Sequence, residues 1–160
     1  MSGNEGISNE SLRQTYSLRP ATAEDARFLF DVKIEAMGQV HEALHPGEPI
    51  DKEQEFKKYM ETFEPGKVSV IEYKGKDVGR FRVVRSPEAI YVGGLQILPE
   101  FQQRGIGSAI FDDLMEESNR THIPIITEIH HVNKINIAWK DKLGFKEVER
   151  NDKQVVMRYN

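Results

Sequence analysis

The stretch Leu95-Gln96-Ile97-Leu98-Pro99-Glu100-Phe101-Gln102-Gln103-Arg104-Gly105-Ile106-Gly107-Ser108 runs from an apolar strand end through a Gly-bearing turn into a helix. A helix that starts at such a turn presents backbone N–H groups without intrahelical partners, at the positive end of its macrodipole. An anion held there gains hydrogen bonds and favourable charge. Glycines at 105 and 107 remove side chains that would block close approach, and Gln103, Arg104 and Ser108 add donors around the same turn. A pyrophosphate suits this arrangement. No Gly-Lys-Ser/Thr follows, so it is not a Walker loop, and it lacks the third glycine of a dinucleotide fingerprint. Two glycines can also do no more than turn a strand into a helix, so the surrounding sequence has to decide.

Working outward, Tyr16 to Arg19 reads as a strand (β1) ending at Pro20. Thr22 then caps a helix (α1) with Phe28, Leu29, Phe30, Val32, Ile34 and Met37 at helical spacing. Pro46, Gly47 and Pro49 interrupt the next segment, after which Asp51 starts a helix (α2) carrying Phe56, Tyr59, Met60 and Phe63 on one stripe. Residues 67–73 (β2), 77–85 (β3) and 89–97 (β4) are β-rich runs with short turn signals between them, which predicts an antiparallel meander. A helix over 106–119 (α3) and the apolar run 125–129 (β5) after Pro124 make a parallel crossover. A helix over 133–143 (α4), stopped by Gly144, precedes closing strands at 145–148 (β6) and 154–159 (β7). The expected fold is α/β (α+β), with a single mixed, mostly antiparallel sheet flanked by helices in the order β-α-α-β-β-β-α-β-α-β-β.

The chain has 160 residues, 38% hydrophobic and 30% charged, which fits one globular domain: residues 15–160 behind a flexible N-terminal arm at 1–14. With 22 Lys and Arg against 26 Asp and Glu the net charge is −4, and no basic block marks a nucleic-acid footprint. The absence of cysteine excludes disulfides, thiolate zinc sites and a cysteine nucleophile. The first residues hold no apolar run, so neither a signal peptide nor a membrane span is expected, and the location is read as cytoplasmic.

The turn resembles the acetyl-CoA signature of the GNAT N-acetyltransferases, Gln/Arg-x-x-Gly-x-Gly/Ala, matched by Gln102-Gln103-Arg104-Gly105-Ile106-Gly107. A second likeness lies downstream, where Asn133 is followed at the family's spacing by Leu143-Gly144-Phe145. Leu18-Arg19-Pro20-Ala21-Thr22-Ala23-Glu24-Asp25-Ala26 is also similar to the family's passage from β1 into α1, so the resemblance covers about residues 16–160.

The resemblance implies that acetyl-CoA is the donor, that β4 splays from β5 to admit the pantetheine, and that a primary amine attacks the thioester directly, without metal. Main-chain N–H groups at Leu95, Gln96, Ile97 and Leu98 would bind the pantetheine and polarise the carbonyl. Gln102 to Ser108, Ile106 included, would bind the phosphates, with Asn133, Asn136 and Trp139 as further contacts. The family often has a Glu on β4, but Tyr91-Val92-Gly93-Gly94-Leu95 has none, which leaves Glu128 or His130 on β5, or Tyr91, as the base. The family's thiolate-protonating Tyr falls at Lys140, which either donates a proton or is a solvated helix Lys. The acceptor pocket is expected from Met37, His41, His45 and Tyr59, and a homodimer is possible through exposed strand edges.

Two other readings stay open. His41-Glu42-Ala43-Leu44-His45 matches the zinc-peptidase pattern H-E-x-x-H, although Pro46 and Gly47 follow at once. The departures on β4 and at residue 140 also allow an acyl-CoA-binding module without catalysis.

Overall fold

A computed structural model describes residues 16–160; the arm expected at 1–14 lies outside the described residues. The strands β1 (Tyr16–Pro20), β2 (Val68–Tyr73), β3 (Lys76–Arg85), β4 (Ile90–Ile97), β5 (Ile125–His130), β6 (Lys146–Arg150) and β7 (Gln154–Tyr159) form one sheet. Their spatial order is β1-β2-β3-β4-β5-β7-β6. Every neighbouring pair is antiparallel except β4–β5, which is parallel. The helices are α1 (Ala26–Leu44), α2 (Lys52–Thr62), α3 (Ile106–Thr121) and α4 (Lys134–Leu143), so the element order is the one expected from sequence.

A short 3-10 turn, Ala23–Asp25, leads into α1. The Asp25 carboxylate accepts the Thr22 N–H at 2.8 Å and two bonds from the Arg19 guanidinium at 2.8 and 2.9 Å, which ties the end of β1 to the helix start. α1 continues to Leu44, beyond Met37, the last of the apolar residues at helical spacing. Gly38 weakens a helix by only about 1 kcal/mol relative to Ala, and Pro46 is the first residue that cannot continue it. α2 starts where Asp51 accepts the Gln54 N–H at 3.2 Å, as expected.

Period-two alternation along the strands splits the core between the two faces of the sheet. On one face, Ile71, Phe81, Val92, Ile125 and Ile129 pack beneath Ile106, Ile110, Phe111 and Leu114 of α3. On the other, Val68 and Val70 meet Leu29 of α1, with Tyr59 and Phe63 from the α2 region packed against them. β6, an edge strand, is exposed along its length and carries Lys146, Glu147, Glu149 and Arg150, charges that discourage edge-to-edge pairing. Among the described residues no helix is long and apolar enough to cross a membrane.

Leu114 is 3% exposed in the middle of the α3 layer. Leu114→Ala should lower stability by about 2–5 kcal/mol, read from urea midpoints, by removing buried methyls and leaving a cavity.

Candidate functional site

β4 and β5 pair only at Ile90–Ile125, Tyr91–Ile126 and Val92–Thr127, yet β4 runs on to Ile97 and β5 to His130. They part at Gly93. There the β3–β4 register jumps, with Arg82 opposite Gly94 and Val83 opposite Val92, so Gly93 is the extra residue of a bulge. A bulge bends its strand and increases the local twist, and here it accompanies the departure of β4 from β5.

The Leu98 N–H donates to the Val78 carbonyl at 2.8 Å. By antiparallel alternation Gln96 also bonds β3, while the N–H groups of Leu95 and Ile97 point away from it into the gap. Of the four main-chain donors expected on β4, those of Leu95 and Ile97 are therefore available, and those of Gln96 and Leu98 are spent on β3.

A cavity of about 330 Å³ fills the gap. Its walls are Met37 and Val40 of α1, Leu95 and Gln96 of β4, Glu128 and His130 of β5, Asn133, and Asn136, Trp139 and Lys140 of α4. A second cavity of about 300 Å³ lies at the start of α3, lined by Ile97, Gln102, Gln103, Gly105, Ile106, Gly107 and Ser108. Leu95 and Trp139 border both.

Gly105 at φ +83° allows the chain to turn into α3. The first α3 bond runs from the Ala109 N–H to the Gly105 carbonyl at 2.9 Å, which leaves the N–H groups of Ile106, Gly107 and Ser108 without helical partners. A Cβ on Gly107 would approach nothing closer than 3.6 Å, so a side chain there would occupy the cavity and not strain the fold. Gln102 donates to the Ile97 carbonyl at 2.9 Å and steadies the turn. Arg104 does not line this cavity; it donates to the Glu100 carbonyl at 3.3 Å and lies 5.7 Å from the centre of the Phe101 ring.

Asn133 caps α4, accepting the Asn136 N–H at 3.3 Å, and the Asn136 side-chain oxygen accepts from Lys140 Nζ at 2.8 Å. Lys140 is 3% exposed, not a solvated helix Lys. Its ammonium lies 4.2 Å from the Phe111 ring centre and 4.1 Å from that of Trp139. Burial pulls its pKa down to about 8.

Glu128 is the one carboxylate lining the larger cavity. It shares the α1 face of the sheet with Tyr91, whose pKa is raised by burial first and by the Glu128 charge next. Tyr91 does not line the cavity. His130 does, and burial, helped by His131 and Lys153, lowers its pKa. Its Nδ1 accepts the Val132 N–H at 3.3 Å, which leaves the proton of the neutral ring on Nε2.

Of the expected acceptor residues, Met37 lines the larger cavity. Tyr59 lines a third cavity, described below. His41 and His45 sit outside all three, at the exposed end of α1, with His41 Nε2 2.7 Å from the Glu48 carbonyl and His45 paired with Glu48 at 3.6 Å.

The third cavity, about 300 Å³, was not anticipated from sequence: it is lined by Lys33, Tyr59, Lys67, Arg80, Arg82 and Gly93, among others. Its sequence signal is cross-strand. A Cβ on Gly93 would sit 2.4 Å from Arg82 Nη1, and one on Gly94 would sit 2.6 Å from Arg80 Nη1, so the two glycines make room for the two guanidinium groups.

The chain belongs to the acetyltransferase (GNAT) domain family, whose model matches residues 64–147. Solved structures agree on the fold. The PaiA N-acetyltransferase of Thermoplasma acidophilum in complex with coenzyme A superposes with a TM-score of 0.66 at 15% identity, over 91% of this chain and 98% of its own. An acetyltransferase from Thermus thermophilus gives 0.67 at 17% identity, over 91% and 96%. A GNAT family acetyltransferase from Elizabethkingia anophelis with acetyl-CoA bound gives 0.55 at 11% identity, over 91% and 98%. No curated protein matches the sequence.

Because the folded-state pKa of Lys140 is lowered to about 8 from 10.5, the unfolded chain binds more protons between these values. Stability should therefore rise with pH across that window, by on the order of a few kcal/mol. Urea unfolding on either side of the window should show this gain in the wild type and not in Lys140→Met.

Proposed function

We propose that residues 15–160 form an acetyl-CoA-dependent N-acetyltransferase domain that acetylates a primary amine by direct attack. The observation that carries this reading is that the cavity at the unpaired N–H groups at the start of α3 and the cavity in the gap between β4 and β5 share Leu95 and Trp139 as walls. The diphosphate would lie on Ile106, Gly107 and Ser108. The free N–H groups of Leu95 and Ile97 would hold the pantetheine like an added strand and orient the thioester in the larger cavity.

The acceptor ammonium must lose a proton before its nitrogen attacks, and Glu128, the carboxylate in the cavity wall, takes it. His130 is less suited, since its Nδ1 lone pair is already engaged. As the C–N bond forms and the C–S bond breaks, the leaving thiolate receives a proton from Lys140, whose pKa of about 8 lies near that of an ordinary thiol. This buried acid opposite a carboxylate favours catalysis over an acyl-CoA-binding module without turnover. The zinc reading is not favoured, since His41 and His45 lie outside the cavities and His41 Nε2 faces a backbone carbonyl.

Isothermal titration should show acetyl-CoA binding by the wild type and a loss of about tenfold or more in Gly107→Val, whose side chain fills the phosphate cavity while urea stability stays near that of the wild type. Absence of binding in the wild type would refute the reading. Glu128→Gln should lower kcat/KM by about a hundredfold to ten-thousandfold with acetyl-CoA affinity retained. In wild-type protein kcat should fall as pH rises through about 8, the pKa of Lys140, and Lys140→Met should lack that limb.

A further inference from the structure

Lys33 from α1, Arg80 and Arg82 from β3, and Tyr59 from α2 converge on the third cavity. Arg80 is 4% exposed. Its Nη1 donates to Gln96 Oε1 at 2.8 Å, but neither its Nε nor the Tyr59 hydroxyl, both buried, makes a well-formed hydrogen bond, although the two side chains are close enough for each to shift the other's pKa. Among the described residues no carboxylate lies within 4.0 Å of Arg80, Arg82 or Lys33; the nearby cation Lys67 is paired with Glu64 at 3.1 Å, and Glu55 acts on Lys33 only from farther away. A guanidinium cannot shed its proton at ordinary pH, and a buried cation without a counter-charge is costly. Burial, and next the charges of Arg80 and Arg82, lower the Lys33 pKa against the opposite pull of Glu55, and the carboxylate that lines the cavity, Glu64, is taken up by Lys67.

The cluster is also joined to the transfer site. Gly93 lines both this cavity and the one in the β4–β5 gap, and Gln96, which accepts from Arg80, lines the latter. Arg82 acts electrostatically on Tyr91, which in turn neighbours Glu128. A group held by the arginines would therefore share Gly93 as a wall with the cavity in which the thioester is proposed to lie. The long side chain that another strand would carry at 93 or 94 is absent, and the guanidinium groups fill its place.

From this geometry we infer that the acceptor is a small amine bearing a carboxylate a few bonds from its nitrogen, with the carboxylate received by Arg80, Arg82 and Lys33 and the amine directed past Gly93 toward Glu128. This inference rests on the acetyltransferase reading above. Planar guanidinium groups donate two parallel N–H bonds to a carboxylate, and the Arg80 Nε and the Tyr59 hydroxyl, which lack well-formed hydrogen bonds, are further donors on side chains that line the cavity. Although the net charge of −4 attracts cations at long range, this pocket repels a polyamine at contact.

The test compares amino acids with their own carboxamides, with phosphomonoester amines and with polyamines, following thiol release from acetyl-CoA. Carboxylated amines should exceed their carboxamides in kcat/KM by between about tenfold and a hundredfold, the size of one or two charge-assisted bonds. Arg82→Gln should bring that ratio close to unity, chiefly through KM, and Arg82→Lys should recover part of it. The ratio is taken within each variant, so loss of folded protein does not alter it. Equal or better turnover of carboxamides or polyamines, a preference for the phosphomonoesters, or a ratio indifferent to Arg82→Gln would each overturn the inference. N-acetyl amino acids and their carboxamides are also titrated into CoA-saturated protein. A carboxylate preference there without turnover of any amine would uphold the anion site and refute the acetyltransferase reading; turnover of neutral amines without that preference would do the reverse.

Discussion

The parting of β4 from β5 at Gly93 is the constraint on which the rest of the site depends. Parallel strands otherwise satisfy one another's backbone groups along their common length, and here they stop after Val92 and Thr127. The N–H groups left over at Leu95 and Ile97 are tolerable because these residues border cavities that water or a ligand can enter, Leu95 both of them and Ile97 the one at the start of α3. The bulge also places Gly93 against the Arg82 side chain, so one irregular residue both opens the donor channel and brings a cation to its rim.

The two faces of the sheet divide the work. The α3 and α4 side supplies the turn at Gly105, the wall made by Trp139 and the buried Lys140, all set by the packing of Phe111 against Trp139 and Phe145. The α1 and α2 side supplies Glu128, Tyr91 and the cationic cavity. The gap is where the two meet, so it can be reached from both faces of the sheet.

Much of this was legible in the sequence where a local rule governs. Turn and periodicity signals gave the element order, and the glycines at 105 and 107 gave the turn into α3, because both follow from neighbours in the chain. The apolar periodicity of α1 runs out at Met37 although the helix goes on to Leu44, because Gly38 weakens a helix without ending it. The fate of Lys140 could not be read, since burial depends on Phe111 arriving from another helix. The pairing of Arg80 and Arg82 with the β4 glycines was hidden for the same reason: it exists only once β3 and β4 are in register, with an offset that the bulge changes. Which main-chain donors on β4 are free follows from hydrogen-bond alternation, which sequence does not carry.

Trp139 is the chain's single tryptophan, and it stands half-buried in the wall shared by the cavity at the start of α3 and the one in the β4–β5 gap, with an ammonium against its face. Excited selectively over the five tyrosines, the tryptophan fluorescence of the protein therefore comes from one position, in the wall between the two cavities. Its intensity and emission maximum offer a built-in optical gauge of what enters either cavity, read without label, coupling enzyme or knowledge of the acceptor.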